Sequence, residues 1–401
     1  MANDSNSAYR KYWLLDQKIT FLNHGSFGAS PIPVLEYQTK LRQQIEREPV
    51  HFFIREWEPL LDEARASLAL FLGANKENLV FVPNATTGIN AVLRSLSFSA
   101  NDELLTTNQE YNACRNVLNF VAHRDGAKIV VASLPFPINS PQEVIAAILG
   151  SVTPQTKLVL IDHIVSQTGL ILPIPELIKE LTKRGIDTLI DGSHAPGMIP
   201  LNIEEIGATY YTGNCHKWLC APKGAGFLYV RPDRQSLIYP TTISHGANSP
   251  RTDKSPFLLQ FDWMGTDDPT PYLCVPKAIE FMGNLLKGGW AELMANNHKL
   301  AVEGRQIISQ IKGVTLPAPE TMIGTMGVVI LPNIIVPEKQ IGLIPVLQEI
   351  LWQEFQIEVP IIPWPDPDQL LIRVSAQIYN TISEYEYLAK SIEKLIDRYS
   401  H

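Results

Sequence analysis

Between residues 79 and 191 the chain changes apolar rhythm again and again, and that alternation limits what it can fold into. Leu79-Val80-Phe81-Val82 is a short apolar run closed by Pro83, the pattern of a buried strand. Ile89, Val92, Leu93 and Leu96 follow at i, i+3, i+4 and i+7, which is one face of a helix. Lys128 to Ala132 reads as a strand, Pro141 to Leu149 as a helix, Lys157 to Asp162 as a strand and Ile174 to Lys183 as a helix. Ile186 to Asp191 is a strand that ends at a charged residue. Strands alternating with helices imply a parallel sheet covered on both faces.

Further along, Ala208–Thr212 and Ala225–Val230 are strand-like runs flanking a polar loop. Gly327 to Leu331 and Leu370 to Ser375 read as strands. Leu343, Val346, Leu347, Ile350 and Leu351 mark one helix, and Leu388, Ile392 and Leu395 a last one. The proline-dense stretch from Pro360 to Pro367 reads as a stiff loop. A chain of 401 residues suggests two to three domains. The expectation is an α/β chain with an N-terminal arm (1–16), a large domain (17–275) and a smaller α+β C-terminal domain (276–401).

Composition excludes several classes. Lys+Arg 33 against Asp+Glu 41 gives a net charge of -8, which offers no basic field for nucleic acid. The four cysteines, Cys114, Cys215, Cys220 and Cys274, contain no C-x-x-C pair, so neither a disulfide framework nor a zinc ribbon is expected. No metal site is expected. No apolar run of about 18 residues suggests a membrane span. The polar opening MANDSNSAYRKYW has no signal-peptide core, so a cytoplasmic location is expected.

Three short segments carry chemistry. Asn84-Ala85-Thr86-Thr87-Gly88 lies between a strand and a helix, where unpaired N–H groups and the positive dipole end can cradle an anion. Plain helix capping by Asn or Thr explains the same residues equally well. Leu189-Ile190-Asp191-Gly192-Ser193-His194 delivers a carboxylate to a strand's C-terminal end, where parallel sheets bind ligands. Thr212-Gly213-Asn214-Cys215-His216-Lys217-Trp218 puts a lysine between two apolar strands, where partial desolvation would lower its pKa and make it nucleophilic. A pyridine cofactor bearing a phosphate and an aldehyde needs an anion cradle, a carboxylate for its ring nitrogen and an amine. Thr86, Asp191 and Lys217 supply these in order.

These residues, together with FLNHGSFGA (21–29), EPVHFFIRE (48–56), NATTGIN (84–90), EYNA (110–113), SQTG (166–169), DGSHAPG (191–197), GNCHKW (213–218), PKGAGFLYV (222–230), GTDD (265–268) and RVSAQIYNT (373–381), resemble the class V aminotransferase family of pyridoxal-phosphate enzymes. Within it the chain resembles isopenicillin N epimerase-like proteins. The resemblance runs from Phe21 to Tyr379 and implies the aspartate aminotransferase-like fold, with a mostly parallel sheet between helices in the large domain.

It also implies roles. Lys217 would form the Schiff base and move the proton at the substrate Cα, and Asp191 would pair with the pyridinium nitrogen. Ala85, Thr86, Thr87, Asn214 and His216 would surround the phosphate. Tyr111 would lie over the ring, with Ser166 and His194 near its oxygen. Thr266 would reach the phosphate of a partner subunit's cofactor, which implies a homodimer with shared sites. Arg373 would hold the substrate carboxylate in a bidentate fork. Asn23 and His24 would close over the substrate. His24 and Tyr111 are the candidates for a second acid, and His24 reads equally well as a capping or packing histidine. Arg55 reads as a solvated surface arginine.

Pyridoxal phosphate labilises several bonds at Cα, so the fold does not name the reaction. A desulfurase of this family would carry a loop cysteine shortly before the arginine strand, and IEVPIIPWPDPDQLLIRVS has none. The leading expectation is epimerisation or racemisation of an amino acid. A C–S lyase acting by β-elimination on a cysteine-like or sulfoxide substrate comes second, and an aminotransferase third. A non-catalytic cofactor-binding protein is disfavoured, because it has no use for Arg373.

Overall fold

A computed structural model describes residues 7–333, 340–341 and 344–399. Its centre is a seven-stranded sheet. In chain order the strands are β1 (Leu79–Val82), β2 (Glu103–Thr107), β3 (Lys128–Ala132), β4 (Thr156–Asp162), β5 (Asp187–Gly192), β6 (Tyr210–Asn214) and β7 (Gly226–Val230). In space they lie in the order β1-β7-β6-β5-β4-β2-β3. The pairs from β6 through β3 are parallel, and β7 runs antiparallel to both β6 and β1.

The strands are apolar on both sides because helices cover both faces. Leu158, Leu160 and Leu189 point to the face closed by α1 (Ala85–Ser95) and α2 (Asn112–Asp125). Val159, Ile161 and Ile190 point to the opposite face, where helices Trp57–Leu72 and Ile174–Lys183 pack. Burying a side chain of this size contributes about 1.5–3 kcal/mol. The period-2 alternation also carries Asp162 and Asp191 onto the same face as Leu160 and Leu189. Their Cα atoms are partners in the β4–β5 register.

The C-terminal smaller domain has a three-stranded antiparallel sheet, with β8 (Met326–Ile330), β9 (Ile361–Pro363) and β10 (Leu370–Ser375) in the order β9-β10-β8. Helices Gly289–Ser309, Val346–Phe355 and Ile382–Tyr399 bury Ile308, Leu351, Leu388 and Ile392 against it. Two sequence expectations need correction here. The proline-dense stretch is not all loop: Ile361–Pro363 is an edge strand, a place where proline is tolerated because one ladder side faces outward. The first run flanking the polar loop begins later than read, at Tyr210, and extends through Asn214. Leu343, read as part of a helix, lies outside the described residues, as do residues 1–6 of the arm.

Residues 20–28 clasp the two sheets together. Thr20–Phe21 pairs in parallel with Ile357–Glu358, and the Ser375 amide donates to the Leu22 carbonyl at 3.0 Å. Gly28 then meets the lysine loop. Its φ is +69°, and a Cβ there would lie 2.2 Å from the His216 carbonyl oxygen, so only glycine permits the approach.

Candidate active site

The C-terminal ends of β2, β4, β5 and β6 bring most of the expected residues to one place. Lys217 lies in the turn after β6, part-buried. Burial is the main force that lowers its amine to about 8, opposed by the Asp191 carboxylate and aided by the Arg373 charge. Its Nζ lies 3.0 Å from His194 Nε2. On the other side of that ring the Trp218 indole N–H donates to Nδ1 at 3.3 Å. A neutral imidazole with Nδ1 accepting carries its proton on Nε2. That N–H then points at Lys217, which can accept it only as a neutral amine. Burial also pushes His194 well below the usual histidine range, so the imidazole stays neutral.

Asp191, at the end of β5, is buried and accepts three hydrogen bonds. Ser193 N–H (2.8 Å) and Ser193 Oγ (2.5 Å) donate to Oδ1, and Cys114 Sγ donates to Oδ2 at 3.2 Å.

At the head of α1 the cap is observed directly. Asn84 caps the helix, its Oδ1 accepting from Thr87 N–H (2.9 Å) and Thr87 Oγ1 (3.1 Å). Asn214 Oδ1 accepts from Ala85 N–H at 2.9 Å. The amides of Ala85 and Thr87 are therefore spent on the protein. Thr86 keeps both its amide and its hydroxyl without a partner among the described residues. His216 donates from Nδ1 to the Ala225 carbonyl at 2.9 Å, and burial lowers it to about 4.

Arg373, on β10, is buried, and burial lowers it to about 10. Its guanidinium donates to the Ser166 carbonyl, to Ser26 Oγ at 2.9 Å and to Asn23 Oδ1 at 3.4 Å. Nε has no partner, and no carboxylate pairs with Arg373 among the described residues. A buried cation without an anion is costly, which fits a site completed by a ligand carboxylate. Asn23 also donates to Glu358 Oε1 at 2.8 Å.

The structure decides between the two readings of His24, in favour of packing. His24 is fully buried and does not face the cleft. Its Nε2 donates to the Lys217 carbonyl at 3.1 Å, and its Nδ1 accepts from Tyr379 O–H at 2.8 Å. Burial lowers it to about 3, so the ring is neutral and its single N–H is spent on the Lys217 carbonyl. Ser166 serves Arg373 through its carbonyl and, at 3.5 Å, its Oγ. Thr266 is exposed and lines a 250 Å³ cavity with Thr87 and Trp263, away from Lys217's partners. Arg55 is exposed on the turn Phe52–Glu56. Tyr111 lies at the head of α2, exposed, within electrostatic range of Arg373.

Sequence reasoning passed over Glu110, Cys114, Asp162, Ser26 and Tyr379. Asp162 carried a readable signal, since it ends an apolar strand just as Asp191 does. The others come from distant segments that only the fold unites.

The sequence profile described as "Aminotransferase class-V" matches residues 33–336. The chain belongs to the class V aminotransferase family. Its cofactor is pyridoxal 5'-phosphate, and it is an enzyme of that family. The chain is 34% identical to isopenicillin N epimerase of Streptomyces clavuligerus and 36% identical to that of Amycolatopsis lactamdurans, each over 95% of this chain and 96% of the relative. It is 28% identical to a putative L-cysteine desulfhydrase of Oryza sativa subsp. japonica, over 94% of this chain and 83% of that protein. Among solved structures, a C-DES mutant with glycine covalently linked to the cofactor superposes with a TM-score of 0.82 at 20% identity, covering 96% of this chain and 99% of that one. A cysteine desulfurase from Thermococcus onnurineus gives 0.79 at 20% identity, covering 99% and 100%. These structural likenesses establish the fold.

The residues fit the cofactor. Thr86 offers two unspent donors at the positive end of α1, suited to a phosphate. Asp191 Oδ2 is available to a ring nitrogen, and Lys217 is a desolvated amine. No helix among the described residues is long and apolar enough to cross a membrane.

Proposed function

We propose that this enzyme removes the Cα proton of an amino acid and returns one on the opposite face, as an epimerase or racemase. The observation that carries the reading is the presence in one site of a lysine amine lowered by burial and a buried arginine that has no acidic partner among the described residues. Arg373 takes the substrate carboxylate, with the Ser166 carbonyl, Ser26 and Asn23 fixing the guanidinium plane. The anchored substrate presents its Cα to Lys217, whose amine His194 and Trp218 hold in the proton-accepting form. When bound, pyridoxal phosphate draws the electron pair left at Cα into its ring. Asp191 holds the ring nitrogen, and Thr86 holds the phosphate, with His216 able to join it from Nε2 only once that nitrogen takes up a proton.

The second acid is assigned to Tyr111. His24 has both nitrogens engaged behind Lys217, whereas Tyr111 stands exposed at the head of α2 near Arg373. The two isopenicillin N epimerases, at 34% and 36% identity, support this choice of reaction. Thr266 is proposed to reach the site of a second copy in a homodimer, and its exposure on the single chain supports that role.

A second reading has its own support. Cysteine desulfhydrases and a hercynylcysteine sulfoxide lyase are among the relatives, and β-elimination uses the same lysine and arginine. Incubation with a panel of L-amino acids, cysteine included, separates the two. Epimerisation yields the D-enantiomer. Elimination yields pyruvate and ammonia.

A further inference from the structure

Behind Asp191 lies a cluster that the reaction as described does not use. Glu110, Cys114 and Asp191 bring one ligand atom each within 4.8 Å of one another, and all three side chains are buried. Asp191 Oδ1 is taken by Ser193, so Oδ2 is the oxygen left for the ring nitrogen, and the Cys114 thiol donates to that same oxygen. Glu110 Oε2 accepts from Thr106 Oγ1 at 3.0 Å, while Oε1 is buried without a hydrogen-bond partner among the described residues. An unpartnered carboxylate oxygen in such a place is costly as an anion and far less so as part of a carboxylic acid.

We propose that Glu110 and Cys114 are positioning residues for Asp191: a neutral acid and a thiol that together set how firmly Oδ2 holds the proton on the cofactor's ring nitrogen. The inference rests on Asp191 being the ring-nitrogen partner. The groups facing Glu110 are consistent with a neutral acid. Thr106 approaches from β2, Cys114 and Arg115 from α2, Asp162 from β4 and Asp191 from β5. Burial first, then the Asp191 charge, pushes the Glu110 carboxyl up, with Arg115 opposing. Burial and then Asp191 push the Cys114 thiol up, so it remains a donor. Burial, Glu110 and Asp191 push Asp162 up as well.

The arrangement has a consequence for pH. While Glu110 keeps its proton, a single negative charge lies beside the ring nitrogen. Loss of that proton in alkali places a second charge there, which tightens the hold on the ring proton and on any other cationic form of the bound cofactor. Cys114 acts in the opposite sense, because its hydrogen bond draws charge from Oδ2.

The test uses the full-length enzyme with its cofactor. Infrared difference spectra of wild type against Glu110→Gln should show, at pH 7, a carboxylic-acid C=O band present only in wild type and lost in alkali. In an absorbance titration of the bound cofactor, Glu110→Gln should move the midpoint to lower pH by roughly threefold or more in proton affinity. Cys114→Ala should move it to higher pH, and Cys114→Ser, which keeps a donor, should restore it. The proposal is overturned if the spectra of wild type and Glu110→Gln coincide in the acid C=O region, or if both variants titrate as wild type does. Should Glu110→Gln not fold, wild type alone decides: a spectrum without an acid band that titrates in alkali overturns the proposal. None of these readouts depends on turnover, so failure of the epimerase reading leaves them interpretable.

Discussion

His24 Nε2 donates to the backbone carbonyl of Lys217 at 3.1 Å, so a fully buried histidine holds the site lysine from behind. Tyr379 completes the chain of contacts by donating to His24 Nδ1. Because residues 20–28 also bond to the strand that carries Arg373, the position of Lys217 is tied to the element that anchors the substrate.

His24 therefore makes stability depend on acid. Its pKa in the folded chain is about 3, against 6.5 for an ordinary histidine. Between those values the unfolded chain binds the proton and the folded chain does not, so the stabilisation is complete above pH 6.5 and is lost as pH falls toward 3. The loss is at most about 5 kcal/mol. His24→Gln cannot titrate, and its urea midpoint should vary less than that of wild type between pH 7 and pH 4.

The hydrogen bond from Trp218 to His194 keeps Lys217 on the accepting side of a proton. Rate should rise with pH through about 8 as the amine loses its proton. Trp218→Phe removes the donor to Nδ1 and lets the imidazole turn its lone pair toward Lys217. The ammonium form gains a partner, so the ascending limb of the pH–rate profile should shift to higher pH while the fold persists by circular dichroism.

Arg373→Lys keeps the charge and loses the planar fork. Steady-state kinetics should show a fall in kcat/KM worth roughly 2–4 kcal/mol, carried mainly by KM. The absorbance of the bound cofactor should be unchanged, since Arg373 is assigned to the substrate.

Gly28→Ala tests the clasp without removing any polar side chain. A Cβ 2.2 Å from the His216 oxygen at φ +69° forces the segment away from the lysine loop. Unfolding free energy should fall by about 1–3 kcal/mol, and activity should drop together with it.

Much of this architecture is legible in the sequence because its signals are local. The strand that ends at Asp191, the helix opened by Asn84 and the lysine between two apolar runs each declare themselves within ten residues. The Trp218–His194–Lys217 arrangement is also short in sequence, but its tautomer logic needs distances. The sequence leaves His24 open between closing over the substrate and packing, because the partners that decide it, Lys217 and Tyr379, lie 193 and 355 residues away. Cys114 and Glu110 lie 77 or more residues before Asp191, and only the crossing of α2 over the sheet brings them under it. The Ile361–Pro363 strand was missed because proline signals a turn locally, and its place at a sheet edge is a tertiary fact.

The account turns on proton transfer at Cα by Lys217, and exchange in deuterium oxide reads that step directly. Wild-type enzyme should introduce deuterium at Cα of at least one L-amino acid and form its deuterated D-enantiomer, resolved by chiral chromatography and mass spectrometry. Lys217→Ala should lose the exchange by about 10³-fold or more. Cofactor-loaded wild type that exchanges no Cα proton in any amino acid tested, or a Lys217→Ala variant that exchanges as fast as wild type, would contradict the account.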